Sequence, residues 1–126
     1  MAEAISLNDD NKKTSNYLIL SLKTEFALGG SIALLETRRT LSGDGDETRN
    51  ITFHIAKYNA KRAKIKADRI AFLAEQTKIK PPKKSKLDKA INLSKKLDNM
   101  IASSTTTKAI LDTTTRLLKL YNSTRM

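Results

Sequence analysis

Leu18, Ile19, Leu22 and Phe26 recur three and four residues apart, the spacing that gathers apolar side chains on one face of an α-helix. With Thr14, Ser15 or Asn16 as cap and Gly29–Gly30 as stop, they predict a helix ending near Leu28. Ser31 caps a second, short helix over residues 32–41, which the turn Ser42-Gly43-Asp44-Gly45 ends. Residues 1–13 are polar and form a lead-in to one helical domain spanning residues 14–126.

Two periods compete in the next stretch. Ile51, Phe53 and Ile55 alternate with Thr52 and His54, the pattern of a half-buried strand. A hairpin at about 32–57 followed by three helices, an α+β fold, is the alternative this leaves open. A helix accounts for more residues. Ile51, Ile55, Tyr58, Arg62, Ile65, Arg69 and Phe72 follow one another at alternating steps of four and three, one face of a long central helix from about Asp46 to Thr77. Phe53, Ala56, Ala60, Ala63, Ala67, Ala71 and Ala74 fall opposite. That stripe of small residues is expected to pack tightly inside the protein.

Pro81 and Pro82 break the chain, since proline lacks a donor and disfavours helix in the residue before it. Ser85 with Asp88 resembles a capping box. The helix it starts carries Leu87, Ala90, Ile91, Leu97 and Ile101 on one side and Lys86, Lys89 and Lys96 outside. Ser103 to Thr107 is a hydroxyl-rich joint that caps a last helix with the stripe Ile110, Leu111, Leu117, Leu118 and Tyr121. The last two helices form an antiparallel hairpin. The expected fold is all-α, a small bundle of four to five helices.

Charge changes the picture. The 126 residues carry a formal net charge of +11. The block Lys57–Lys96 holds 14 bases against the acids Asp68, Glu75 and Asp88, and the rest of the chain is neutral. Concentrated Lys and Arg attract polyanions. The expected partner is therefore nucleic acid, DNA or RNA, held by its phosphates through Lys57, Lys61, Arg62, Lys64, Lys66, Arg69, Lys78, Lys80, Lys83, Lys84, Lys86 and Lys89. Tyr58 and Phe72 interleave with the arginines, so they either stack on unpaired bases or face a second layer of core. No zinc-finger, helix-turn-helix or basic-zipper pattern is present, so sequence-specific readout is not expected.

Other chemistries find little support. There is no cysteine, hence no disulfide framework, thiolate zinc site or thiol nucleophile. His54 stands alone, and Asp44, Asp46 and Glu47 lack the twelve-position calcium pattern and suit a helix start better. Neither enzyme activity nor a metal or cofactor is expected. Tyr17–Leu35 is the most apolar window, but Lys23, Glu25 and the glycine pair argue against a membrane span, and residues 1–11 do not resemble a secretory signal. A cytoplasmic, nucleoid- or virion-associated location follows. The alternatives are an inhibitor or adaptor that binds an acidic partner, and a self-assembling structural or coat subunit.

Overall fold

The first helix does not stop at its glycines. The computed structural model describes residues 9–126, with side chains from residue 11, and α1 runs unbroken from Asp9 to Leu41. A glycine ends a helix by taking a left-handed conformation, and among the described residues no glycine has positive φ. The expected break and the separate helix over 32–41 are thus corrected to one helix of 33 residues. Residues 9–13 of the expected lead-in belong to it, and residues 1–8 lie outside the described chain. Asn11–Leu41 is long and apolar enough to cross a membrane by length and composition alone. Here Tyr17, Leu20, Leu28 and Leu35 of that helix are buried in the bundle.

Three further helices follow. α2 spans Gly45–Leu73, α3 Lys84–Asp98 and α4 Thr107–Asn122. Asp44 caps α2, its carboxylate accepting from the backbone N–H of Asp46 at 2.8 Å and of Glu47 at 3.4 Å. The same helix ends four residues before the expected Thr77. Glu75 adopts φ 59°, and the N–H groups of Gln76 and Glu75 return to the carbonyls of Ala71 and Phe72, which closes a Schellman turn. Nothing in the residue types announces this, because glycine is the usual occupant. For α3 the N-cap is Lys83, without a side-chain cap bond, and not the expected Ser85. That helix also stops at Asp98, which leaves Ile101 in solvent. Thr106 caps α4, accepting from the Ala109 N–H at 3.1 Å.

The fold is all-α, and no strand forms among the described residues. The alternating stretch at residues 51–55 lies within α2. The helix at the centre of the packing is α1 and not α2. Antiparallel α2 meets it through Tyr17 and Phe72, rings edge-to-face at 4.8 Å, and at the other end through Arg39, which donates to Thr52 at 3.2 Å. Antiparallel α4 meets it through Ser31 and Thr114, hydroxyls at 2.7 Å, and Tyr17 and Tyr121 at 3.3 Å. Since Glu47 accepts from Thr107 and Asp68 from Tyr121, α2 and α4 run parallel. The linker to α3 is fastened to the far end of α4, where the Lys80 N–H donates to the Thr124 carbonyl at 2.7 Å and Ile79 bridges Arg125. This makes α3 antiparallel to α4, as the expected hairpin requires.

The α2 faces are assigned the reverse of one expectation. Ile51, Tyr58 and Ile65 are buried, so the four-three line is the core face. The alanine stripe points outward: Ala56, Ala60, Ala63, Ala67 and Ala74 are exposed, as are Phe53, Ile70 and Leu73. α2 sits at the edge of the bundle and is covered on one side. Alanine there supports the helix through its propensity.

Two expected outcomes follow from this arrangement. A Cβ added at Gly30 meets nothing within 4 Å, so Gly30→Ala should raise stability by about 0.5–1 kcal/mol by removing helix-interior glycine entropy. Thermal unfolding measures it, and a lower melting temperature would contradict an unbroken α1. At the other end of the bundle, the hydroxyls of Ser42 and Thr107, with Arg38 behind them, hold the Glu47 carboxyl below its usual pKa of 4.5. A group with a depressed folded pKa stabilises fully above its unfolded value and loses that contribution as the pH falls through the folded one. Glu47→Gln should therefore lower stability at neutral pH and flatten its fall below pH 4.5, as read from urea unfolding at a series of pH values.

Candidate nucleic-acid interface

The line of rings and guanidinium groups on α2 is mostly spent inside the protein. Tyr58 is 1% exposed, and burial pushes its hydroxyl pKa up. Phe72 is half-buried with its ring against Tyr17. The expectation of stacking is corrected at Tyr58, whose ring belongs to the core, whereas Phe72 keeps part of its ring at the surface beside Lys13 and Lys78. Arg69 donates to Ser21 at 3.0 Å and to the Glu25 carboxylate at 2.6 Å. The half-buried Arg62 lies over Gly29, where an added Cβ would sit 3.6 Å from the guanidinium carbon. A methyl group there would meet the guanidinium at ordinary van der Waals distance, so Arg62 crosses α1 in close contact with this turn.

The remaining predicted cations are better placed. Lys57, Lys64 and Lys66 on α2 are exposed and Lys61 is half-buried. In the linker Lys78, Lys80, Lys83 and Lys84 are exposed, although the backbone that carries them is fixed: Pro82 is buried, Ile79 packs on the core, and Lys80 is tied to Thr124. Lys64 approaches Asp68 at 3.9 Å and Lys84 approaches Asp88 at 3.6 Å. Such exposed pairs hold little energy and yield readily to a competing anion. No acid occupies the first turn of α3, so Lys83, Lys84 and Lys86 crowd the positive end of its dipole.

Around α4 the cations collect into two furrows. The one toward α2 is lined by Lys61, Lys64, Asn122 and Arg125, with Ile65, Leu118 and Tyr121 beneath. Its acid, Asp68, is engaged by the Tyr121 hydroxyl at 3.1 Å and by Arg125 at 3.8 Å. Burial, with the neighbouring Tyr17 hydroxyl, raises the Tyr121 pKa well above the usual phenol range, so that hydroxyl stays a donor. The furrow toward α3 is larger, about 570 Å³, and is rimmed by Lys86, Lys89, Lys96, Arg116 and Lys119 over Leu93 and Leu120. No acid lines it.

Of the twelve predicted cations, then, Lys61, Lys64, Lys86 and Lys89 enter the furrows, while Lys57 and Lys66 line neither. Lys96, Arg116, Lys119 and Arg125 were outside the predicted set. A signal for three of them existed. Lys96 was already outside the apolar side of α3, Arg116 and Lys119 lie off the stripe of α4, and the expected hairpin sets those outer faces side by side. At the opposite end, Asp44, Asp46, Glu47 and Asp112 border an acidic hollow. Asp44 there is the α2 cap. His54 is within hydrogen-bond distance of its own helix, Nδ1 to the Asn50 carbonyl at 2.9 Å, and packs against Phe53 and Tyr58.

This division separates fold from surface in a measurable way. Arg69→Ala strands Glu25 and Ser21 and should cost about 1–3 kcal/mol. Lys66→Glu, at an exposed position with no ion pair among the described residues, should stay within about 0.5 kcal/mol of the parent. Equal losses in urea unfolding would contradict the assignment of Arg69 to the interior. No protein-family model, no curated protein and no solved structure matches this chain.

Proposed function

We propose that this is a non-enzymatic nucleic-acid-binding protein, or the basic subunit of a nucleoprotein assembly, that holds the phosphate backbone largely without regard to sequence. One observation carries it. The cations of the linker, α3 and α4 are exposed or half-buried on rigid elements, and the furrow between the two helices has no acid among its lining residues. Phosphate contacts position a protein without specifying bases. With Tyr58 in the core, little aromatic surface on α2 is left for stacking, and counterion release is the main driving term. Such a protein works in the cytoplasm, or on a nucleoid or virion.

The test is fluorescence anisotropy with labelled single- and double-stranded DNA and RNA of mixed sequence. Affinity for at least one class should fall linearly in log–log form with salt, with a slope of about −0.9 per phosphate neutralised on duplex DNA. Lys80→Glu with Lys83→Glu should reduce that slope in magnitude by about 2 and leave the melting temperature unchanged within a few degrees. Absence of binding to all four at low salt overturns the proposal.

A further inference from the structure

We propose that the furrow between α3 and α4 is a docking groove for an acidic amphipathic helix of a partner protein. Its walls combine two properties that phosphate binding alone does not need. Lys86, Lys89, Lys96, Arg116 and Lys119 form a rim of one sign, and none of them is ion-paired among the described residues. Beneath that rim the surface is largely carbon, from Leu93, Leu120 and the stems of the long side chains. A phosphate backbone on the rim has no apolar surface with which to cover the leucines. An amphipathic acidic helix serves both parts at once, setting apolar side chains on Leu93 and Leu120 and carboxylates on the rim.

The dimensions agree. Lys86 and Lys96 stand ten residues apart on α3, about 15 Å at 1.5 Å per residue, which spans nearly three turns of a docked helix. The volume of about 570 Å³ lies in the range of formed binding sites, roughly 300–1,000 Å³. The groove is also held open before any partner arrives. The linker binds the end of α4 through Lys80 and Thr124, and Leu87, Ala90, Leu97, Leu117 and Tyr121 anchor both helices in the core, so little ordering cost attends docking. Lys57, Lys66, Lys78, Lys80 and Lys83 lie outside the furrow. Those cations stay available to phosphates when the furrow is filled.

The probe is a fluorescein-labelled helical peptide of about 18 residues, with leucines along one face and glutamates on the other, titrated against the full chain at physiological salt. A second peptide keeps every glutamate and replaces the leucines by serine. The first should bind at least about tenfold more tightly than the second. Its amide shift changes should map to residues 86–96 and 116–123. R116E with K119E should weaken it about tenfold or more, and Leu93→Gln several-fold. Equal binding of the two peptides, or shifts elsewhere, overturns the proposal without depending on any variant's folding. If instead a DNA or RNA duplex shifts these residues and Leu93→Gln leaves the peptide unaffected, nucleic acid is the occupant and the proposal falls. Lys80→Glu with Lys83→Glu should weaken nucleic acid and spare the peptide, which keeps failure of one proposal distinct from failure of the other.

Discussion

The continuity of α1 is the constraint on which the other elements depend. It packs on α2, α3 and α4, and its buried residues run from Tyr17 to Leu35 across the glycine pair. A break there would disturb the seat of Arg62 over Gly29 and uncouple the Tyr17–Tyr121 contact from the Ser31–Thr114 contact, which lie on opposite sides of it. Hydroxyl groups then set the register. Ser31 meets Thr114 and Tyr17 meets Tyr121, while Thr24 and Thr114 also donate to carbonyls four residues back in their own helices. Buried polar atoms without partners are costly, so a slide of α4 along α1 would leave these groups unsatisfied. Apolar packing alone, being non-directional, would tolerate such a slide far better.

From that register comes the surface. With α4 locked against α1, its two flanks are fixed in what they meet. One flank faces α2 with Leu118 and Tyr121, and the other faces α3 with Arg116, Lys119 and Leu120. The knot at Lys80 and Thr124 sets the height of α3 beside α4. Lys86, Lys89 and Lys96 are thereby placed opposite Arg116 and Lys119. The acids were handled differently. Glu25 and Asp68 bind cations of their own bundle, and Asp44 caps a helix. What remains unpaired near the furrow is of one sign.

How much of this the sequence disclosed depends on the range of the interaction. The core faces of α2 and α4 were legible because a 3.6-residue period is local. The class of fold and the hairpin of the last two helices followed from the same periods. Gly29–Gly30 was misread because a glycine pair stops a helix only when nothing packs across it, and Tyr17 to Leu35 are buried together. The end of α2 was misplaced because Glu75 takes a conformation that residue type does not favour. The alanine stripe was assigned inward since small residues permit close approach, yet no helix covers that side of α2. For the site, the clustering of lysines was plain in one dimension. The furrow was not, because Arg116 and Lys119 lie well beyond the basic block and join it only when α4 folds back on α3.

The unpaired cations also explain why surface and stability pull against each other here. Like charges gathered around the α3–α4 furrow repel, and the repulsion opposes the compact state. Lys83, Lys84 and Lys86 add to it at the positive end of α3, where an acid would have been favourable. Neighbouring acids offset this only in part: Asp88 pairs with Lys84 alone, Asp68 pairs with Arg125, and Glu75 lies in the turn beyond α2. Buried hydroxyl pairs and the pinned linker keep the helices in place despite that repulsion. A fold optimised only for its own stability would set an acid opposite Lys89 or Lys119. Its absence leaves a repulsion that either proposed anion, a phosphate chain or a row of carboxylates, would relieve on binding. Which one fits is decided beneath the charges, by whether Leu93 and Leu120 are covered.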